Sequence, residues 1–212
     1  MVKIERLIFD LDNTLILWKD EYTSALKETM EYFKVDYDYL CIDAIIESQE
    51  TIHDTMDKQL FLDDINSSCG LNLTIDFIDM FLEKQKELAE INDIDLQETI
   101  KYLSTKYEIV LLTNWYTDTQ ISRLKTAGIA KYFKEFYGGD MGYTKPHPDS
   151  YLRAVGNHKV EECIMIGDSD YYDINGALAL DMPVIQVDLK NIINDKRNYP
   201  VIKNIRELMD IL

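Results

Sequence analysis

Short apolar runs alternate with amphipathic segments along most of the chain. Four of these runs predict strands, each followed by polar residues: Leu7–Phe9, Ile109–Leu112, Ile164–Ile166 and Val184–Val187. Glu135–Tyr137 is a weaker candidate. Apolar residues without polar alternation are typical of strands that are covered on both faces, as in a parallel sheet.

Helical patterns separate the strands in the second half of the chain. Thr117 and Gln120 have the spacing of a capping box, and Gly128 is placed to end the helix that they begin. Pro148 suits the first turn of the next helix, and a third helix is predicted over Tyr171–Leu180. Alternating strands and helices predict an α/β fold with a Rossmann-like, doubly wound parallel sheet.

Residues 16–92 break this alternation. The segment has no run with convincing strand character, and from Tyr22 onward its apolar residues recur at helical spacing. Asn66–Gly70 is rich in turn-forming residues and predicts a loop between two helices. We therefore expect a core of residues 1–15 and 93–212, with an all-helical domain inserted after the first strand.

Charge and composition narrow the possible partners. The 212 residues include 22 Lys and Arg against 39 Asp and Glu, a net charge of −17, and 46% are hydrophobic. Such a field repels nucleic acid and anionic membranes, so an anionic substrate would need local positive charge. With no signal-peptide pattern, no membrane-length apolar run and three cysteines without metal-ligand spacing, the sequence predicts a cytoplasmic protein. The oligomeric state stays open.

Two carboxylates directly follow the first predicted strand. Asp10 and Asp12 would point the same way if the strand continued, and carboxylates held so close are tolerated beside a cation or when one keeps a proton. The alternative is an acidic turn, because Asp-Asn favours turns. Thr113 and Asp168 follow two other predicted strands, so all these side chains fall at the edge where doubly wound sheets bind ligands.

Four segments carry a resemblance to a known family. Asp10–Thr14, Leu111–Asn114, Thr144–Asp149 and Gly167–Ala177 are similar, in order, to the four motifs of the haloacid dehalogenase superfamily of hydrolases in its phosphatase form. The predicted helical insertion resembles the cap that one subgroup carries between its first two motifs. The resemblance covers the whole predicted core.

This resemblance implies a set of catalytic and metal-binding roles. Asp10 would be the nucleophile that forms an aspartyl-phosphate, and Asp12 would be the general acid for the leaving alcohol and then the base that activates water. Mg²⁺ would bind the carboxylates of Asp10 and Asp168 and the backbone carbonyl of Asp12. Asp173 would support the metal from the second coordination sphere or through a water.

The phosphate-binding residues are implied in the same way. The Thr113 hydroxyl and the Asn114 backbone N–H would contact phosphoryl oxygens, and Lys145 would supply the fixed positive charge that an acidic protein lacks. One position departs from the family pattern, because Tyr172 stands where Asn often precedes the second acid of the fourth motif. The environment of Asp173 is therefore open.

The resemblance predicts a Mg²⁺-dependent phosphatase of small phosphomonoesters such as sugar phosphates or nucleotides. A sugar phosphomutase and a weakly active phosphate-binding regulatory protein are the alternatives. A dehalogenase is disfavoured, because a halide leaving group does not need the proton that Asp12 would supply. Trp115 either faces the substrate or packs beneath the cap, and Trp18 either meets the leaving group or lines the hinge.

Overall fold

The computed structural model describes residues 2–36, 42–43, 45, 54–91, 93–193 and 196–212. These residues form a six-stranded sheet in which every strand pairs in parallel, in the order β3-β2-β1-β4-β5-β6. The strands are β1 (Arg6–Phe9), β2 (Glu108–Leu112), β3 (Glu135–Tyr137), β4 (Cys163–Gly167), β5 (Val184–Val187) and β6 (Val201–Ile202). The predicted doubly wound α/β fold is confirmed, and all five predicted strands are present.

The central strand β1 fixes where a ligand can bind. Leu7 lies opposite Ile109 of β2 on one side and Ile164 of β4 on the other. The chain adds β2 and β3 on the first side before it returns to place β4 on the second. The strand order therefore reverses between β1 and β4, and in such sheets the crevice at this point binds ligands beyond the carboxyl ends of the strands.

Helices cover both faces of the sheet. The helices are α1 (Lys19–Phe33), α2 (Lys58–Cys69), α3 (Ile75–Gln85), α4 (Leu96–Ser104), α5 (Thr117–Thr126), α6 (Pro148–Val155), α7 (Gly176–Leu178) and α8 (Leu208–Ile211). Leu7 and Phe9 of β1 pack into one apolar cluster with α4, α5 and α8, whereas Ile8 packs into another with α6 and α7. This alternation explains why Leu7, Ile8 and Phe9 of β1 are all apolar.

Helices α1, α2 and α3 form a third apolar cluster, separate from the two that cover the sheet. Its members include Leu26, Phe61 and Phe81, together with Trp115, which comes from the loop after β2. The two segments that connect these helices to the sheet pair with each other, because the N–H of Leu17 donates to the carbonyl of Glu90 at 2.9 Å. Residues 37–41, 44, 46–53 and 92 of the predicted insertion lie outside the described residues.

The predicted loop at Asn66–Gly70 is wrong for all but its last residue. Helix α2 continues to Cys69, and Gly70 ends it with a left-handed φ of 62°. The Asn66 side chain accepts from the N–H of Leu73 at 2.7 Å and donates to its carbonyl at 3.1 Å. Asn66 therefore fixes the chain beyond the helix end while itself remaining helical.

Two further helix predictions need correction. The capping box of Thr117 and Gln120 is absent, because Tyr116 precedes the helix and the Thr117 N–H donates to Asp140 at 2.8 Å. The helix predicted over Tyr171–Leu180 is a π-helical turn over Asp170–Asn175 followed by the short α7. Gly128 with φ 77° after α5 and Pro148 in the first turn of α6 are as predicted. In the described part of the chain, no helix combines the length and apolarity needed to cross a bilayer.

Candidate active site

The seven site residues predicted from the sequence line one cavity at the carboxyl edge of the sheet. They are Asp10, Asp12, Thr113, Asn114, Lys145, Asp168 and Asp173. The cavity has a volume of about 520 Å³ and lies where β1, β2 and β4 end. Three strand ends, the π-helical turn and the loop before α6 therefore supply the polar groups of a single site.

Lys145 forms the centre of the polar network. Its ammonium lies 2.7 Å from Oδ1 of Asp10 and 2.6 Å from Oδ1 of Asp173, and its side chain is only 2% exposed. Burial by itself lowers the pKa of Lys145, but the two carboxylates outweigh burial, so that the pKa is raised. Lys145 is thus a fixed positive charge.

The Asn114 side chain holds the backbone of Lys145. Its amide nitrogen donates to the Lys145 carbonyl at 2.8 Å, and its oxygen accepts from the Lys145 N–H at 2.6 Å. This pair of hydrogen bonds joins the end of β2 to the loop before α6. The sequence assigned Asn114 a backbone contact with phosphate, and the structure adds this positioning role for its side chain.

Asp10, Asp168 and Asp173 form a carboxylate cluster beside Lys145. One oxygen from each lies within 4.8 Å of the others. Burial raises the pKa of both Asp10 and Asp168, and in each case the neighbouring carboxylates raise it further. When all three acids are ionised, one ammonium leaves two of the three negative charges uncompensated, and the donor atoms are all oxygen. This donor set fits a hard divalent cation such as Mg²⁺.

Asp173 is the most buried of these acids, at 1% side-chain exposure. Its Oδ2 accepts from the N–H of Ser169, the residue that precedes the π-helical turn, at 3.0 Å. Gly167 comes so close that a Cβ there would lie 2.3 Å from Cγ of Asp173. Tyr172, at the position that departs from the family pattern, lines the cavity instead of contributing an amide.

Asp12 is held by two residues of α5 that the sequence analysis did not identify as site residues. Arg123 forms an ion pair with Oδ1 of Asp12, and the Gln120 amide donates to Oδ2 at 2.6 Å. Gln120 also donates to the Thr113 hydroxyl at 3.1 Å. The two α5 residues are three apart and share one helix face. The hydropathy pattern of the sequence did not indicate these two residues, because a polar residue that is buried looks the same in such a pattern as a polar residue that is exposed.

Aromatic side chains form much of the remaining cavity wall. They are Trp18, Tyr22, Trp115, Tyr171 and Tyr172. Trp115 is 7% exposed, and its indole N–H donates to Gln85 of α3 at 2.7 Å while the ring packs edge-on against Tyr22 and Phe61. Trp115 therefore both packs beneath the inserted helices and lines the cavity.

Comparison with known proteins places the chain in a family. A family model described as haloacid dehalogenase-like hydrolase matches residues 7–187. The pyrophosphatase PpaX of Bacillus pumilus (strain SAFR-032) is 27% identical over 179 residues, which cover 81% of this chain and 77% of that protein.

Solved structures have the same fold. The HAD-hydrolase YfnB from Bacillus subtilis, bound to magnesium, superposes with a TM-score of 0.76 at 18% identity and with 99% coverage of both chains. The L-2-haloacid dehalogenase from Xanthobacter autotrophicus gives a TM-score of 0.72 at 16% identity over 98% of both chains. These likenesses cover the inserted helices as well as the sheet.

Proposed function

The chain belongs to the haloacid dehalogenase-like hydrolases, and we propose that it is a Mg²⁺-dependent phosphatase of small phosphomonoesters. The observation that carries the proposal is the position of Lys145, buried between Asp10 and Asp173 in the cavity that Asp12 also lines. A nucleophile, a proton donor and a fixed cation are what phosphoryl transfer requires.

In the proposed mechanism, Asp10 attacks phosphorus while Asp12 gives a proton to the leaving alcohol oxygen as the P–O bond breaks. The Asp12 carboxylate then takes a proton from water, and the water oxygen attacks phosphorus and releases Asp10. Lys145 and the Thr113 hydroxyl stabilise the charge on the phosphoryl oxygens. Asp10, Asp168 and Asp173 would hold Mg²⁺, with the Asp12 carbonyl as a further ligand, and the metal would neutralise the phosphate.

The inserted helices would form a cap. Trp18 and Tyr22 come from the predicted insertion, residues 16–92, and line the same cavity as the acids. A cap that closes over the leaving group would exclude water from the aspartyl-phosphate until the alcohol has left. The aromatic wall favours a leaving group with an apolar or planar face.

Dehalogenation and pyrophosphate hydrolysis are less well supported. A halide leaves without a proton, so it would make no use of the Asp12, Gln120 and Arg123 arrangement. A diphosphate carries more charge than a monoester, yet among the described residues Lys145 is the one Lys or Arg that lines the cavity. We therefore expect monoesters to be better substrates than pyrophosphate, despite the likeness to PpaX.

Phosphate release from a panel of phosphomonoesters and pyrophosphate, with Mg²⁺ and with EDTA, tests the proposal. We expect turnover only with the metal. Asp10→Asn should reduce turnover on the order of 10³-fold or more while the protein stays folded. Near-normal phosphate release by Asp10→Asn, or full activity in EDTA, would show that the mechanism is wrong. Transfer of phosphate to a second sugar hydroxyl without release would favour the mutase.

A further inference from the structure

Arg123 connects the inserted helices to the sheet. Its side chain is fully buried on α5. Nε donates to the carbonyl of Leu88 at 2.9 Å, and Nη2 donates to the carbonyl of Leu17 at 3.1 Å. Leu17 precedes α1 and Leu88 follows α3, so a single guanidinium binds both segments through which the chain enters and leaves the insertion.

The same guanidinium reaches the acid of the proposed reaction. Nη1 forms the ion pair with Asp12 and also donates to Oε1 of Gln120 at 3.0 Å and to the Tyr22 hydroxyl at 3.2 Å. The charge lies 5.2 Å from the centre of the Tyr22 ring. Arg123 thus contacts Gln120 of its own helix α5, Tyr22 of α1 and the proposed catalytic residue Asp12.

Only a planar, multi-donor cation makes all these contacts. Arginine presents donors in fixed directions, whereas the ammonium of lysine is a compact charge on a flexible stem. The carbonyls of Leu17 and Leu88 and the Asp12 carboxylate are bound through different nitrogens of one rigid group. A shift of either connecting segment therefore changes the position of the donor to Asp12.

We propose that Arg123 is a positioning residue that couples the seating of the inserted helices to the orientation of the Asp12 carboxyl. It holds Asp12 at the leaving-group side of the cavity when both connecting segments are docked. The inference rests on the proposed phosphatase function, because it assigns Asp12 to proton transfer. Gln120 completes the arrangement by holding the second oxygen of Asp12 and the Thr113 hydroxyl.

The test compares two substrates that differ in their need for a proton. An aryl phosphate such as p-nitrophenyl phosphate has a leaving group that departs unprotonated, whereas an alkyl phosphate such as glycerol phosphate needs the acid. In Arg123→Lys we expect kcat/KM, which reports the step in which the leaving group departs, to fall at least about tenfold more for the alkyl ester than for the aryl ester. Hydrogen exchange should become faster in residues 15–18 and 86–91.

Arg6→Lys is the matched control. Arg6 is also buried, but it binds Glu108 and Glu135 at the opposite end of the sheet. Its replacement should change kcat/KM for both esters by the same factor and leave exchange in the two connecting segments unaltered. An equal loss for both esters in Arg123→Lys, or unchanged exchange there, would overturn the inference.

Two further variants, Arg123→Gln and Gln120→Leu, separate the positioning role of Arg123 from a purely structural one. Arg123→Gln gives a second test if the lysine variant does not fold, and failure of both to fold would make Arg123 a structural residue and the inference wrong. Gln120→Leu should reproduce the leaving-group effect without faster exchange, because it leaves both carbonyl contacts in place. If the wild type released no phosphate from any ester, the proposed function would fail, whereas the exchange measurement would still report on Arg123.

Discussion

At the scale of single residues, Lys145 has a structural and an electrostatic role that are hard to separate. Its ammonium forms ion pairs with two buried carboxylates, and its backbone is fixed by Asn114. A charge held this firmly needs no rearrangement when a phosphoryl group develops negative charge. The same burial means that its loss leaves Asp10 and Asp173 without their cation.

We expect Lys145→Ala to lower both activity and stability. The loss in kcat/KM should correspond to about 3 kcal/mol or more, as for a preorganised electrostatic donor. The free energy of unfolding should fall by roughly 3–5 kcal/mol without metal, since buried carboxylates lose their partner. Mg²⁺ should restore part of the stability but little activity, as thermal melts and steady-state kinetics would show. Wild-type kcat/KM in this variant would exclude Lys145 from the site.

The acids and the lysine of the candidate site could be predicted from the sequence because each occupies a defined position in one of the four motifs. Asp10, Thr113 and Asp168 also follow apolar runs, so the sheet rule alone places them at one edge. Arg123 and Gln120 could not be predicted in this way. Their role depends on the rotation of α5 relative to Asp12 and on the path of two segments that lie 35 and 106 residues from Arg123 in the sequence, which a local pattern does not contain.

At the scale of elements, the end of β4 shows how closely the backbone approaches the site. An added methyl group at Gly167 would meet Asp173, whose position is fixed by Lys145 and the Ser169 N–H. We expect Gly167→Ala to lower the free energy of unfolding by roughly 1–3 kcal/mol and to weaken Mg²⁺ binding in a thermal-shift titration. Gly70→Ala is the control, because its cost comes only from a left-handed φ with open space around it. Equal Mg²⁺ affinity in both variants would contradict this view.

The amino end of β2 makes a pH-dependent contribution to stability. Hydrogen bonds from Lys134, and then from Arg6 and His158, lower the pKa of Glu108 to about 2. Between the ordinary carboxyl pKa of about 4.5 and this value, the unfolded chain binds a proton that the folded protein does not, so stability is lost as the pH falls. Glu108→Gln should therefore be less stable than wild type at pH 7, with the difference shrinking toward pH 2. A difference that is constant with pH in parallel unfolding curves would refute the assignment.

The helices and strands were predicted correctly where the burial of a segment and the preferences of its residue types indicate the same structure. Four of the five predicted strands are mainly apolar because helices cover both faces. β3 is half-buried and carries Glu135, and β6, with two residues, is too short to give a pattern. Asn66 and Gln120 were assigned local roles that suit their residue types, but their side chains bind Leu73, Asp12 and Thr113 instead. The mistakes therefore occur where a polar side chain has a partner beyond its own turn.

At the scale of the whole molecule, a net charge of −17 opposes the approach of a phosphorylated substrate. Salt screens this repulsion, so we expect kcat/KM for a phosphomonoester of a neutral alcohol to rise as monovalent salt increases from about 10 mM to about 150 mM at fixed Mg²⁺. Phosphocholine, whose ammonium offsets the phosphate charge, should show a weaker rise. A fall in kcat/KM with salt for both substrates would mean that local positive charge controls the encounter.

The central position of β1 has a consequence for synthesis on the ribosome. Phe9 pairs with Leu111 and Ile166, which are made 102 and 157 residues later (111 − 9 and 166 − 9). At a translation rate of about 5–20 residues per second, Leu111 is synthesised about 5 to 20 s after Phe9, and Ile166 about 8 to 31 s after it. During this interval the apolar residues of β1 have neither of their neighbouring strands to pair with, and unpaired apolar segments of this kind are prone to aggregate. The first strand to be translated is thus among the last to be completed, and a chain that stalls before β4 cannot close its active site.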